Sequence, residues 1–478
     1  MAYVLILLPI VMAALAFATP SERRRPLLVP AGAALHLTVV MWAVFGEVVR
    51  VEGLGGWLLL DALGKLFAGF LAVLFFLFSL YVPGYLAGSD RPNRVFCTAL
   101  FLTLAMTTLV ALAHHLGLMW VAMEATTLVS APTVYYYRNP RCLEATWKYL
   151  MVGSVGIALA LFGTFFLAYA ALKGGVESTL LFDDLIANAG QLSGPWVHGA
   201  FVLLFIGYGT KMGLAPMHTW KPDAYGEAPG LVGTLLAGGV TSTAFLALLR
   251  VYQICSAGSE AEFVRQVLIG AGLFSIGVAA VFMVRQRDFK RMLAYSSVEH
   301  MGILVLGIGI GGAAIYGALL HVLNNGLTKG VLFLSSGNIH RAYGSKVTDD
   351  VRGAMRRVPV SGALFLAGFL AITGSPPFGP FVSEFTIATA AFTSGQFVAA
   401  GLFLAALFVV FVGMGTTVLA VVQGEAPAEV KPGGIDERLS TVAPIALFMA
   451  MVLLLGLYIP PPLETLLHDA ARLLEARR

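Results

Sequence analysis

The chain has 478 residues, 58% hydrophobic and only 12% charged, with a net charge of +4. Soluble domains carry about 25% charged residues, so the composition excludes a water-soluble enzyme and predicts an all-α polytopic membrane protein. Cys97, Cys142 and Cys255 lie far apart with no CxxC spacing, so neither an iron–sulfur cluster nor a haem is signalled, and with no Walker loop or GxGxxG before a soluble βαβ unit ATP-driven transport is not expected.

The first apolar stretch lacks a basic n-region and is followed by Arg23, Arg24 and Arg25, which reads as a retained span rather than a cleaved signal. With about 20 apolar residues needed per crossing, spans are expected near 2–19, 27–45, 57–82, 95–113, 116–137, 143–170, 197–220, 231–253, 266–284, 297–311, 313–340, 358–392, 397–422 and 441–459. These fourteen group as an N-terminal segment (1–90), a first repeat (95–253), a second, inverted repeat (266–422) and a last span with a short amphipathic tail (441–478). The segment 173–196 is expected to be an exposed loop, and the tail a surface helix. Loops after odd-numbered spans hold 19 Lys and Arg against 4 in the even set, with Arg250 at the end of the eighth span counted among the latter, which places the odd loops in the cytoplasm and both termini outside. Loop charge of this kind says little for nucleic acid.

Asp61 and Lys65, four apart on the third span, are most simply a local ion pair. Glu124, inside the fifth span, is either a carboxylate hydrogen-bonded to Thr126 or Thr127 or the partner of a buried cation. That cation is Lys211, deep in the seventh span and followed at once by the helix breakers Gly213 and Pro216. A charge at that depth costs at least ~2.5–3.5 kcal/mol, and an interrupted span is tolerated only beside a cavity or a polar interior. At ~5 Å and an effective dielectric near 20 the pair would attract by about 3 kcal/mol, so movement of the carboxylate would make the lysine gain or lose its proton. His218, past the break, either bridges the two halves or is a satisfied structural histidine.

Glu299 and His300 follow a basic loop and mark either the cytoplasmic interface or a proton entrance. On the eleventh span His321, Asn325 and Lys329 are spaced four apart and share a face, with Asn324 and Thr328 beside them. Interhelical glue explains the asparagines but not a lysine at that depth. In the twelfth span Gly374, Pro376 and Pro377 break the helix, and Glu384 is expected in the first turn after Pro380, where the helix dipole favours an anion or where it caps its own half-helix. GLAPMHTW from Gly213 and GSPPFGPF from Gly374 share a glycine, a proline three residues later and a final aromatic, an echo expected of inverted repeats.

The runs MEATTLVSAPTVYYYRNPRCLEATWKYL from Met123, GTKMGLAPMHTWKPDAYGEAP from Gly209, KRMLAYSSVEHMGI from Lys290, LHVLNNGLTKGVLFLSSGNI from Leu320 and GSPPFGPFVSEF from Gly374 together resemble the proton-pumping antiporter-like subunits. That family is shared by respiratory complex I, Mrp-type sodium/proton antiporters and membrane-bound hydrogenases, and the match looks most like its hydrogenase-4 and formate-hydrogenlyase branch. The resemblance implies fourteen helices, a pair formed by Glu124 and Lys211, a relay through Lys329 and a terminal residue at Glu384. It also implies antiporter-like membrane partners and a peripheral redox module that holds the NiFe and iron–sulfur centres, with no cofactor or metal in this chain. One departure stands out: where many members carry a basic residue midway along the eighth span, this chain has Ser242 between Thr241 and Thr243. Hydroxyls hold water but store no proton at neutral pH, which leaves a water bridge or a lost link. The readings in view are a proton-translocating subunit of a redox assembly in a bacterial or archaeal cell membrane, a subunit of a multi-chain Na⁺/H⁺ antiporter, and a non-pumping scaffold.

Overall fold

A computed structural model of the chain describes residues 1–46, 51–89, 91–177, 179–425 and 437–475. It opens with α1 (Ala2–Ala18), α2 (Arg25–Phe45) and α3 (Ala62–Leu86), with a small antiparallel hairpin of β1 (Glu52–Gly53) and β2 (Leu58–Leu59) before α3. There follow α4 (Arg94–Leu112), α5 (Leu116–Val134), α6 (Pro140–Lys173), the short α7 (Phe182–Ala187), α8 (Gly194–Met212) and α9 (Trp220–Glu227). Next, α10 (Gly230–Thr234) runs through a π turn at Leu235–Val240 into α11 (Thr241–Ser256). The second half comprises α12 (Ala261–Met283), α13 (Phe289–Ile310), α14 (Ala313–Tyr343), α15 (Ala354–Arg357), α16 (Pro359–Ile372), α17 (Gly379–Thr393), α18 (Phe397–Val422), α19 (Leu439–Leu457) and α20 (Pro461–Glu475).

Capping chemistry sets several of these boundaries. Asp61 accepts from the Gly64 N–H to start α3, Asn139 accepts from Cys142 to start α6, and Asp288 accepts from Lys290 and Arg291 to start α13. α14 ends on the left-handed Gly344.

Nine of the described helices are long and apolar enough to cross a bilayer. The remaining expected spans correspond to α1, α5, α8 with α9, α14, and α16 with α17, and four of those five carry Glu124, Lys211, Lys329 or Glu384. Polar residues or interruptions keep those four out of the apolar set, and α1, apolar throughout, is short at 17 residues. The stretch α10–α11 is buried except at Ser256 and α13 except at Arg291, whereas α1, α6, α12 and α18 expose large apolar residues such as Leu7, Phe162, Phe274 and Phe408. The outer helices thus offer a lipid-compatible coat around a buried centre.

Both interruptions fall where expected. α8 stops at Met212 with Gly213 at φ 69°, and α16 stops at Ile372 with Gly374 also at φ 69°. The proline three residues beyond each glycine, Pro216 and Pro377, follows a cis peptide bond. Left-handed φ is open to glycine at little steric cost, so the sequence echo extends to the backbone.

Four expectations are corrected. The tenth span begins at Phe289 rather than 297, because Asp288 caps it there, so Glu299 and His300 lie mid-helix rather than at an interface. The seventh span runs on past its break into α9, which is almost wholly buried. The segment 173–196 is no plain exposed loop: α7 folds within it and buries Phe182 and Leu185. Asp61 makes no simple pair with Lys65 but receives both arms of the Arg250 guanidinium at 2.6 Å each, a bidentate geometry that lysine cannot supply. The tail lies against the bundle as α20, with Leu467, Ala470, Ala471 and Leu474 buried and the Leu473 carbonyl accepting from Gln253 Nε2 at 3.2 Å; residues 476–478 lie outside the described part.

Candidate functional site

Lys211 occupies the last turn of α8, where the helix end favours a cation. Its Nζ lies 3.5 Å from Glu124 Oε2, and Ser154 Oγ on α6 donates to Glu124 Oε1 at 2.6 Å. Glu124 is therefore paired with the lysine and held by Ser154 rather than by Thr126 or Thr127; Thr126 instead donates to the Met123 carbonyl. The lysine is almost fully enclosed, while 22% of the Glu124 side chain is exposed. Gly153 on α6 leaves the space: a β-carbon there would stand 3.4 Å from the lysine nitrogen.

Lys329 on α14 donates to Ser296 Oγ at 2.7 Å and reaches toward the Leu293 carbonyl at 3.5 Å. Glu299, one turn along α13 from Ser296, is buried with its Oε2 lacking a hydrogen-bond partner. His321, on the same face, shares a 2.9 Å hydrogen bond from its Nε2 to His300 Nδ1, and its Nδ1 lies 2.9 Å from Ser383 Oγ. Asn325, between His321 and Lys329 on that face, is fully buried with both amide atoms lacking a protein partner. Asn324 meets the same serine as His321, donating to Ser383 Oγ at 3.2 Å, and donates to the Gly379 carbonyl at 2.8 Å. The ladder expected on α14 is thus completed by α13 and α17 rather than by α14 alone.

Glu384 falls in the second turn of α17, not the first, because that helix starts one residue before Pro380, and it makes no cap. Its Oε1 lies 4.0 Å from His300 Nδ1 and has no hydrogen-bond partner, while its Oε2 presses on Gly374, where an added β-carbon would overlap it. His300 stands between the two carboxylates, with its Nε2 at 3.8 Å from Glu299 Oε2. Although no metal ligands were expected, His300, His321 and Glu384 each turn one ligand atom to a common point, all within 4.8 Å of one another.

Two expected residues stand apart. Ser242 is buried, but its hydroxyl donates to the Gly238 carbonyl one turn back, as Thr241 does to Ala237 and Thr243 to Val240. His218, beyond the break, packs near the Phe282 and Tyr295 rings with its Nδ1 unpartnered. Sequence reasoning missed Ser383, Ser296, Ser297 and above all Lys221, which it counted as a cytoplasmic loop charge. Lys221 is fully buried, with its Nζ 3.0 Å from Ser297 Oγ. The available signal was helical spacing: Tyr225 lies four residues on, and the Lys221 nitrogen sits 6.0 Å from its ring.

Buried atoms with no protein partner cluster along this interior: Thr127, Tyr225, Asn325, Glu299, His300 and Glu384 each leave at least one. Native proteins satisfy such atoms with internal water. Side chains and water in series can pass a proton across the middle of the bundle.

A membrane subunit built from many helices, with ionisable groups strung along its interior beside two broken spans, is the class these features define. Residues 113–409 match the family described as NADH:quinone oxidoreductase/Mrp antiporter, TM, and the chain belongs to it. A hydrogenase-4 component F homolog from Methylacidiphilum infernorum (isolate V4) is 37% identical over 355 residues, 73% of each chain. A Na(+)/H(+) antiporter subunit from Bacillus subtilis (strain 168) is 25% identical over 448 residues, 90% of this chain and 89% of that one. In fold, a chain of the archaeal membrane-bound sulfane sulfur reductase superposes with a TM-score of 0.87 at 22% identity, covering 99% of this chain and 97% of that one. A chain of respiratory complex I from Thermus thermophilus gives 0.83 at 23% identity, covering 99% and 100%. The protein is an antiporter-like subunit of the complex I, membrane-bound hydrogenase and Mrp group.

Proposed function

We propose that this chain is the proton-translocating membrane subunit of a hydrogenase-type or complex-I-like redox assembly. The observation that carries the reading is the run of ionisable side chains from the half-buried Glu124 and the buried Lys211 through Lys329 and Glu299 to His300, His321 and Glu384, all buried. Ionisable residues inside a membrane bundle are costly and mark ion pathways. Protons enter from the cytoplasm, charge Lys211 and Lys329 in turn, and leave near Glu384. Separation of Glu124 from Lys211, or its approach, is the trigger.

Moving one proton against 100 mV costs ~2.3 kcal/mol. A peripheral redox partner with NiFe and iron–sulfur centres supplies it, and neighbouring antiporter-like subunits share the membrane arm. The 37% identity to a hydrogenase-4 component F homolog supports that branch. The excess of basic residues in odd-numbered loops supports a cell-membrane orientation with both termini outside.

The test is proton uptake by inverted membrane vesicles that hold the assembled complex, driven by its reductant, with wild type against Lys211→Ala. Uptake that survives the substitution removes the role. Sodium-dependent proton flux with no reductant present would instead favour the Mrp-type antiporter, a reading that the 25% identity to the Bacillus subtilis antiporter protein keeps in play. Copurification of a hydrogenase large subunit decides between them.

A further inference from the structure

We propose that Lys221 is a proton-carrying residue that connects Lys211 to Lys329, an inference that rests on the translocation reading above. Ser242 and its neighbours on the eighth span commit their hydroxyl protons to carbonyls of their own helix, and a hydroxyl stores no proton in any case. The link between the two lysines therefore has to come from another element, and α9 provides one.

Lys221 has the placement of a working group rather than of a strut. It is fully buried, and among the described residues no carboxylate lies within salt-bridge distance of it. Among the described residues it hydrogen-bonds to Ser297 alone, at 3.0 Å to Oγ and 3.4 Å to the backbone carbonyl. A permanently charged ammonium so poorly compensated is expensive, whereas a group that exchanges its proton spends part of its time as a neutral amine. Room for it is built in: the side-chain methylenes lie against Gly213, where any β-carbon would overlap them. The left-handed glycine that breaks the seventh span is the same glycine that admits this lysine.

Both neighbours in the proposed relay are within reach of its surroundings. Ser297 is next to Ser296, which accepts from Lys329 at 2.7 Å, so two ammonium groups converge on adjacent hydroxyls of α13. On the other side the Trp220 indole N–H donates to the Thr210 carbonyl at 2.9 Å, which ties α9 to the turn that holds Lys211. The Tyr149 ring stands 5.0 Å from Trp220, and its hydroxyl meets Ser130 at 2.7 Å. The Thr127 methyl carbon and the Lys211 nitrogen border the same space at Gly153, and the Tyr225 ring centroid stands 6.0 Å from the Lys221 nitrogen. The Thr127 and Tyr225 hydroxyls are both buried without a hydrogen-bond partner, and each calls for a water molecule that bridges onward. In each hop the donor ammonium becomes a neutral amine as the next amine takes the proton, so charge is conserved along the row. Lys329 on α14, His300 on α13, and His218 and Tyr225 around α9 are the titratable groups that face Lys221.

The experiment uses the intact complex in membrane vesicles with Lys221→Met, Lys221→Arg and Lys221→His, each scored for assembly and for protons moved per electron transferred. Methionine removes the proton, arginine keeps the charge but does not release it, and histidine exchanges it at lower pH than lysine does. A carrier predicts that Met and Arg lower translocation by about tenfold or more, within the range of a lost acid–base group, in complexes that still assemble. It also predicts that His retains part of the activity with its pH profile moved toward acid. Full translocation in Lys221→Met, or rescue by Arg of what Met loses, overturns the proposal, since charge or packing alone would then suffice. Failure of all three variants to assemble likewise makes Lys221 a strut and overturns it. Lys211→Ala runs alongside: if that variant also pumps normally, the translocation reading has failed rather than the link.

Discussion

At the break after α8 the charge precedes the interruption, and at the break after α16 it follows. Lys211 closes its half-helix, and its partner Glu124 stands on another helix with part of its carboxylate exposed. Glu384 lies beyond its break, folds back on the left-handed glycine, and meets imidazoles rather than a lysine or arginine within ion-pair distance. The two glycines share the same φ, so one backbone device serves opposite signs of charge. The surroundings, not the break, set the two sites apart: the first is an ion pair with part of its carboxylate exposed, the second an enclosed acid beside two imidazoles.

The contrast is sharpened by substitutions. Lys211→Ala carries the largest expected effect, a fall of proton uptake to background in assembled vesicles. Glu384→Gln comes next, with uptake lowered by about tenfold or more, as for loss of a proton-transfer group; equal uptake in the two neutral variants would erase the distinction between pair and terminal acid. Gly374→Ala forces a left-handed alanine, at about 1–2 kcal/mol, and drives Glu384 from its seat, so thermal stability of the detergent-solubilised complex should drop along with uptake. Ser383→Ala takes one hydrogen bond, about 1 kcal/mol, from His321, and a several-fold loss of uptake with unchanged assembly is expected. Asp61→Asn should leave uptake per assembled complex unaltered, while the loss of its charge-assisted bonds to Arg250 lowers stability by about 1.5–3 kcal/mol, read as a lower Tm.

Much of this was legible before any coordinates. Apolar run lengths fixed the order of the spans, and glycine and proline fixed both breaks. The partnership of Glu124 with Lys211 followed from two opposite charges each too costly to bury alone. What escaped had a common cause: hydropathy describes a segment by its average and cannot see a short helix that stays inside the bundle. Lys221, between Trp220 and Pro222, therefore passed for a loop charge, although α9 is buried. Glu299 was set at the cytoplasmic end of its span, as an interface mark or a proton entrance, because the basic run before it suggested water, yet Lys290 in that run is itself buried, with its Nζ on the Gly226 and Ala228 carbonyls. Arg250 escaped as the partner of Asp61 because 189 residues separate them. Ser296, Ser297 and Ser383 carry no signal of their own, since a serine in a span most often bonds to its own helix.

The wide turn at Leu235–Val240 works like a cam on a shaft. One additional residue in a helical turn rotates everything beyond it by about 100°. Ahead of the offset Gly233 beds onto Phe333, within it Gly238 closes against Leu74, and past it Thr241 comes to face Tyr225. Shorten the turn by one residue and that hydroxyl would swing off the Tyr225 face, without any change in the chemistry of the residues themselves.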